Sequence, residues 1–182
     1  MPVQQISGLC RKHRLLFLVD AAQSAGHLPL SVDGIDLLAA PGHKGLLGPM
    51  GTGFLYVRKG LELKPLIQGG TGTYSKLLSP PVEFPSSFEA GTVNAPGLVG
   101  LGYSLEKLIR MGPVWDLQHE LTEYLDSSLR NMEGVVVYGP SDCRKKAGIV
   151  TFNVLGADCE EVTSLLDDNF GIATRAGFHC AG

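Results

Sequence analysis

Lys44 is the only lysine or arginine in residues 36–57 (DLLAAPGHKGLLGPMGTGFLYV), a stretch made mostly of apolar residues and glycine. An ammonium group is costly to remove from water unless it is paired, so lysines usually keep polar neighbours. Desolvation favours the neutral form of an amine, and the neutral amine is a nucleophile. The setting therefore predicts a desolvated lysine that forms a Schiff base, although a lysine that extends to solvent from a sheet edge is the alternative.

Asp20 and Gln23 supply polar groups that suit such a lysine. Asp20 ends a short apolar run at residues 15–19, and Gln23 follows three residues later. An acid at the carboxyl end of a buried parallel strand lies where open sheets bind ligands, although it can equally cap a turn. Pyridoxal phosphate needs an acid at its ring nitrogen, which then stays protonated and accepts electrons. Asp20 can be that acid, Gln23 can donate to the ring oxygen, and His43 can bind the phosphate.

Composition and charge argue against several other classes of function. The net charge of −3 gives no reason to expect nucleic acid or an anionic membrane as a partner. No apolar run approaches the roughly 18 residues of a membrane span, and the first residues are not typical of a signal peptide. Neither G-x-x-x-x-G-K-[ST] nor a G-x-G-x-x-G that opens a helix is present, which argues against a nucleotide site. Four scattered cysteines without a C-x-x-C pair predict reduced thiols in a cytoplasmic protein and no metal site: Cys10, Cys143, Cys159 and Cys180.

The apolar pattern predicts the elements that must position these side chains. Apolar residues at helical spacing predict helices at the amino terminus, from residue 95, over 117–129 and over 162–170. Short apolar runs predict strands over 15–20, 35–40, 53–58, 135–138 and 148–155, and residues 61–88 predict a long loop. Residues 1–112 are thus predicted to form an α/β unit with parallel strands. Residues 113–182 are predicted to form a smaller α+β unit that begins near Pro113, a residue suited to a helix start.

Two long stretches carry a resemblance to a known family. LFLVDAAQSAGHLPL and GIDLLAAPGHKGLLGPMGTGFLYV resemble the class V aminotransferase family of pyridoxal-phosphate enzymes. Within that family, EAGTVNAPG and RAGFHCAG resemble the cysteine desulfurase and selenocysteine lyase branch. The resemblance implies that residues 1–112 are part of a cofactor-binding large domain with a mainly parallel sheet, and residues 113–182 part of a smaller α+β C-terminal domain. It also implies that the chain represents the middle and later part of a longer enzyme.

The resemblance also implies a role for each candidate residue. Lys44 would hold pyridoxal 5'-phosphate as a Schiff base, Asp20 would pair with the pyridinium nitrogen, and Gln23 would bond to the phenolate oxygen. His43 would contact the phosphate. Thr92 would reach the phosphate of the other subunit in a homodimer, and the glycine-rich residues 69–73 would lie near that interface.

Cys180 would be the catalytic cysteine, and Arg175 would favour its thiolate. The implied reaction converts L-cysteine to L-alanine and leaves a persulfide on Cys180, from which an acceptor protein or a thiol collects the sulfur.

One departure concerns Pro41, which stands where many relatives carry a serine or threonine that binds phosphate. Proline offers neither a hydroxyl nor an N–H, so weaker phosphate binding is expected there. A transaminase or selenocysteine lyase of the same family stays open, as does a truncated chain without catalytic competence.

Overall fold

The computed structural model describes residues 1–70, 72, 81–112 and 114–179. It divides into two compact units, Met1–Val114 and Trp115–Gly182, and the division falls two residues beyond the predicted boundary. In the part of the chain that the structure describes, no helix is both long and apolar enough to cross a membrane.

The helices and strands predicted from the apolar pattern are present; the strand over 135–138 has its predicted bounds, and the other four strands are shorter than predicted. The first unit contains α1 (Val3–Lys12), β1 (Leu18–Asp20), β2 (Leu37–Pro41), β3 (Gly53–Val57), a 3-10 turn (Ser86–Phe88) and α2 (Ala95–Met111). The second unit contains α3 (Val114–Arg130, which starts at the boundary), β4 (Val135–Tyr138), a 3-10 turn (Cys143–Lys145), β5 (Thr151–Val154) and α4 (Cys159–Phe170).

The first unit is built on a sheet in the order β1-β2-β3. Strands β1 and β2 are parallel, with Asp20 opposite Ala39. Strands β2 and β3 are antiparallel, with Pro41 opposite Gly53, so the prediction of parallel strands is wrong for β3. The connection over residues 42–52 contains turns and no helix. A parallel return would need a crossover of about a dozen residues or more, usually helical, and the chain therefore reverses direction instead.

Asp36 fastens one end of this sheet. Its carboxylate accepts hydrogen bonds from the Phe17 backbone N–H at 2.8 Å and from Arg58 Nε at 2.6 Å. Both donors favour the ionised carboxylate and hold the pKa of Asp36 below its usual range, the Phe17 N–H more strongly than Arg58. These bonds join the residue before β1, the residue before β2 and the residue after β3.

Small and aliphatic side chains form the core of the first unit: Ala21, Ala25, Ile35, Leu38, Ala40, Leu46 and Leu101. Leu101 belongs to α2, so this helix packs on the sheet through it. Asn94 caps α2 by accepting a hydrogen bond from the Gly97 N–H at 3.1 Å. Gly112 ends the helix with φ 76°, which a residue with a side chain rarely adopts. The caps fix where α2 begins and ends.

The second unit pairs β4 with β5 in an antiparallel ladder, with Tyr138 opposite Thr151. The side chain of Asp158 caps α4 by accepting hydrogen bonds from the N–H groups of Glu160 and Glu161. Gly171 ends this helix in the left-handed conformation with φ 63°. A capping residue and a glycine thus define both ends of α4.

Helix α3 packs through its polar face. Thr122 and Asp126 are buried, whereas three leucines of the stripe that predicts this helix are exposed: Leu117, Leu121 and Leu125. Asp126 accepts a hydrogen bond from Arg130 Nε at 2.8 Å and pairs with the buried ammonium of Lys146. These bonds hold the pKa of Asp126 below its usual range, Arg130 more strongly than Lys146. The ion pair with Lys146 attaches α3 to the segment that follows the second 3-10 turn, whereas the pair with Arg130 lies within the helix.

Candidate active site

Asp20 and Lys44 lie at the same edge of the first sheet. Asp20 is the last residue of β1 and stands opposite Ala39 of the parallel strand β2. Strand β2 ends two residues later, at Pro41, and Lys44 follows in the connection to β3. The carboxyl ends of parallel strands form the edge where open α/β sheets bind ligands. The topology therefore brings both residues to a ligand-binding edge.

Gln23 lies in a tight turn that starts directly after Asp20. One carboxylate oxygen of Asp20 accepts a hydrogen bond from the Ala22 N–H at 2.8 Å, so this side chain also supports the turn. Backbone hydrogen bonds of 2.9–3.1 Å within residues 21–28 give the turn a helical character. The side chains of Asp20 and Gln23 are both exposed at the edge of the sheet.

The side chain of Lys44 is exposed, which contradicts the predicted desolvation. The neighbouring Gly45 and Leu46 are buried, and the Lys44 carbonyl accepts a hydrogen bond from the Leu47 N–H at 2.9 Å. This turn buries its backbone while the side chains of His43 and Lys44 are exposed. The apolar neighbours in the sequence therefore reflect the packing of the backbone and not the surroundings of the amine.

Glycine packing joins the two segments that carry the candidate residues. A β-carbon placed on Gly45 would lie 2.3 Å from the Ala25 carbonyl oxygen and 2.5 Å from His27 Cδ2. A β-carbon placed on Gly26, which has φ 82°, would lie 2.2 Å from the Gly45 carbonyl oxygen. No side chain fits at such separations, so both positions require glycine. The contact sets the lysine segment directly against the turn that follows β1.

Helix α2 packs against the same connection. Ser104 Oγ donates a hydrogen bond to the Leu47 carbonyl at 2.9 Å. A β-carbon placed on Gly48 would lie 2.6 Å from Leu101 Cδ1, so the helix and the connection meet without room for a side chain. The lysine segment is thus supported by the turn after β1 and by α2.

Thr92 is exposed and lies two residues before Asn94, the residue that caps α2. The N–H of the neighbouring Gly91 donates to the Gly70 carbonyl at 2.9 Å. This bond joins the segment of Thr92 to the start of the glycine-rich stretch 69–73. Residues 71 and 73–80 lie outside the described part of the chain.

The remaining candidates belong to the second unit. Arg175 is exposed and follows α4. Cys180 lies outside the described residues, as does Pro113, at which the sequence predicts a helix start.

The donor set at the sheet edge fits pyridoxal phosphate. It comprises the carboxylate of Asp20, the amide of Gln23, the imidazole of His43 and the amine of Lys44, all of them exposed. A carboxylate for the ring nitrogen and an amine for the aldehyde are the groups that the cofactor's chemistry requires. The structure places them on two segments that contact each other.

Sequence reasoning missed the residues that hold these two segments in place. His27 packs against the lysine segment, and Ser104 bonds to it from α2. The signal that could have found this packing is the spacing of glycines three apart at Gly42, Gly45 and Gly48. Glycine recurs where backbone must approach other atoms closely.

Solved structures define the class of the fold. The chain superposes on a cysteine desulfurase from Thermococcus onnurineus with a TM-score of 0.88 and 37% identity, over 99% of this chain and 46% of that one. It superposes on the cysteine desulfurase CsdA from Escherichia coli with a TM-score of 0.83 and 28% identity, over 98% of this chain and 45% of that one. The fold is therefore the α/β fold of these enzymes.

The sequence comparisons define the family. The family model of aminotransferase class-V matches residues 1–182, and the chain belongs to that family. It is 40% identical over 188 residues to a probable cysteine desulfurase from Methanothermobacter thermautotrophicus, a match that covers 98% of this chain and 46% of that protein. It is 36% identical to a cysteine desulfurase from Escherichia coli, over 99% of this chain and 45% of that protein. The chain thus spans about half the length of the curated relatives it matches.

Proposed function

We propose that this chain carries the cofactor site of a pyridoxal-phosphate-dependent cysteine desulfurase, which converts L-cysteine to L-alanine and passes the sulfur to Cys180. The contact between Gly26 and Gly45 carries the proposal, because it joins the Asp20 turn to the Lys44 segment at a ligand-binding edge. The similarity to named cysteine desulfurases over nearly all of this chain supports the same activity.

Each residue at the edge has a defined task in the proposed reaction. When bound, pyridoxal phosphate supplies an electron sink for the α-carbon of the substrate. Asp20 would keep a proton on the ring nitrogen, Gln23 would donate to the ring oxygen, and His43 would bind the phosphate. Lys44 would hold the cofactor covalently and, once displaced by the substrate amine, would remove the α-proton. The exposed position of its side chain leaves the amine accessible to both partners.

Cys180 would take the sulfur in the second half of the reaction. Its thiolate would attack the sulfur of L-cysteine, so that a sulfur–sulfur bond forms while the carbon–sulfur bond breaks. The carbon skeleton would take up one proton at its β-carbon and recover one at its α-carbon from Lys44, and it would leave as L-alanine with a persulfide remaining on Cys180. Arg175 would favour the thiolate electrostatically. A sulfur-acceptor protein or a small thiol would then remove the sulfur.

We also propose that the protein acts as a homodimer in which Thr92 binds the phosphate held by the other subunit. Thr92 is exposed just before α2, and the bond between Gly91 and Gly70 joins it to the glycine-rich stretch. Pro41 provides no donor to phosphate, so a contact from outside the lysine segment would compensate for it. In such an enzyme the first unit would be part of a large domain with a mainly parallel sheet, and the second part of a smaller C-terminal domain.

Covalent labelling tests the cofactor site directly. The protein is incubated with pyridoxal phosphate and reduced with borohydride, and the added mass is located by peptide mass spectrometry. We expect the label on Lys44 in preference to Lys59 and Lys145, which are exposed lysines outside the site. Label spread evenly over these lysines, or no label, would show that the chain has the family's residues without a working site.

Product analysis tests the reaction. The protein loaded with pyridoxal phosphate is given L-cysteine, and L-alanine and protein-bound sulfur are measured in the parent and in Cys180→Ala. We expect Cys180→Ala to lose sulfur transfer while it still binds the cofactor. An unimpaired Cys180→Ala variant would favour a transaminase instead, since transamination needs no thiol.

A further inference from the structure

The imidazole of His27 lies against the backbone of the residue that follows Lys44. A β-carbon placed on Gly45 would lie 2.5 Å from His27 Cδ2 and 2.7 Å from His27 Nε2. The ring therefore occupies the space into which a side chain at residue 45 would project. His27 is half-buried in this position.

We propose that His27 is a positioning residue for Lys44. Its imidazole sets where the backbone of residues 44 and 45 lies at the sheet edge, and so sets the point from which the Lys44 amine reacts. This inference rests on the proposed function of Lys44 as the residue that holds the cofactor.

His27 is suited to this role because the turn that carries it is itself fixed. Its backbone N–H donates to the Ser24 carbonyl at 3.1 Å within the turn that begins after Asp20. The same turn meets the lysine segment a second time, where Gly26 faces the Gly45 carbonyl. The imidazole therefore links the placement of the lysine segment to the turn that presents Asp20.

The amine of Lys44 depends on this backbone support. Among the described residues, no carboxylate forms an ion pair with Lys44. The backbone therefore sets the point from which this side chain extends, and no ion pair at its end fixes the amine within the described residues. A misplacement of about 1 Å can cost roughly 100-fold in rate. We therefore expect loss of the imidazole to slow the reaction of the Lys44 amine with pyridoxal phosphate even where the chain remains folded.

The test measures how fast Lys44 reacts with pyridoxal phosphate in four variants of the chain. His27→Ala removes the ring, His27→Ser keeps a polar group that ends before the position of Cδ2, and His27→Gln keeps a flat polar group that extends past it. His13→Ala is the matched control, because His13 is exposed at the end of α1. Each protein is labelled for short times, reduced with borohydride and digested, and the label on Lys44 is divided by the label on Lys59.

We expect this ratio to fall about 10-fold or more in His27→Ala and His27→Ser. His27→Gln should recover most of the loss, and His13→Ala should match the parent. Circular dichroism at the labelling temperature identifies the variants that remain folded, and the comparison of His27→Ser with His27→Gln tests the inference if His27→Ala unfolds.

Equal ratios in the parent and in folded His27→Ala or His27→Ser would overturn the inference and leave the proposed function intact. An equal loss in His27→Ser and His27→Gln would overturn it too, because reach to Gly45 would then be irrelevant. Failure of the proposed function has a different signature, since the parent itself would then show no preference for Lys44.

Discussion

Lys44 and Lys146 differ in what surrounds their amines. Lys44 has an exposed side chain on a turn whose neighbouring residues are buried. The side chain of Lys146 is 5% exposed and pairs with Asp126, whose side chain is 3% exposed. A buried charge requires a partner, whereas a reactive amine requires access. The first lysine is thus accessible to a ligand, and the second holds a helix in position.

The two units also differ in how they fix these lysines. The first unit fixes the Lys44 segment by close backbone packing, through Gly26, Gly45 and the ring of His27. The second unit fixes Lys146 by charge, through Asp126 and its second partner Arg130. The contacts at Gly26, Gly45 and His27 hold the backbone of the Lys44 segment, and among the described residues no carboxylate pairs with the Lys44 amine. The comparison predicts different responses to substitution in the two units.

The largest effect is expected from Asp126→Asn. This change leaves the buried ammonium of Lys146 without its counter-charge, which costs about 3–5 kcal/mol in comparable buried pairs. The free energy of unfolding of the second unit should fall by that amount. Urea unfolding followed by the fluorescence of Trp115, the single tryptophan of the chain, measures it.

Asp142→Asn is the matched control in the same unit. The partners of Asp142 are exposed, with 79% of the Arg144 side chain accessible to solvent. Asp142→Asn should therefore lower the free energy of unfolding clearly less than Asp126→Asn does. In addition, the double variant Asp126→Asn with Lys146→Met should be more stable than the sum of the single changes implies. Equal losses in Asp126→Asn and Asp142→Asn would show that the buried pair does not hold α3.

The next largest effect is expected from Gly26→Ala. The new β-carbon would meet the Gly45 carbonyl oxygen at 2.2 Å, and alanine is disfavoured at φ 82°. Overpacking and the left-handed backbone together should lower the free energy of unfolding by about 2–4 kcal/mol. Urea unfolding followed by circular dichroism measures the change.

Gly102→Ala serves as the comparison within the first unit. Gly102 lies inside α2, and a β-carbon there would meet nothing within 4 Å. Alanine has a higher helix propensity than glycine, so the free energy of unfolding of this variant should rise by up to about 1 kcal/mol. A loss in Gly102→Ala as large as that in Gly26→Ala would contradict the close contact at Gly26.

The sequence predicts much of this arrangement and fails at identifiable points. The apolar runs predict the strands and helices because local patterns decide them, and the end of β1 predicts where Asp20 lies. The direction of β3 depends on the connection over residues 42–52, whose turns the apolar pattern does not reveal. The exposure of Lys44 and the burial of Lys146 could not be predicted, because apolar neighbours surround the first and the polar segment CRKKAG contains the second. Tertiary packing alone decides which face of each segment is covered.

Acidic pH should lower the free energy of unfolding of the second unit, because Asp126 becomes protonated. Hydrogen bonds from Arg130 and Lys146 hold the pKa of Asp126 below its usual value of 3.8. The stabilisation is therefore complete above the pKa of the unfolded state and is lost as the pH falls through the lower pKa of the folded state. The difference in unfolding free energy between the parent and Asp126→Asn should shrink as the pH falls below about 4.

The same urea experiment at several pH values checks this expectation. Asp36 and Asp142, whose pKa values are also lowered, titrate in both proteins, so their contributions cancel in the difference. A difference that stays constant between about pH 5 and pH 3 would mean that the ionisation of Asp126 is not linked to folding.

The smallest effect on stability is expected from Lys44→Met, and it is the sharpest contrast with Lys146. An exposed side chain without an ion-pair partner among the described residues should change the free energy of unfolding by less than about 0.5 kcal/mol when it is replaced. Lys146→Met leaves Asp126 buried with one partner fewer and should cost several times more. Lys44→Met should nevertheless lose the preferred site of labelling by pyridoxal phosphate. Lys146→Met should still be labelled at Lys44. If the two variants lost stability equally, the amine of Lys44 would have a structural partner and would not be free for chemistry.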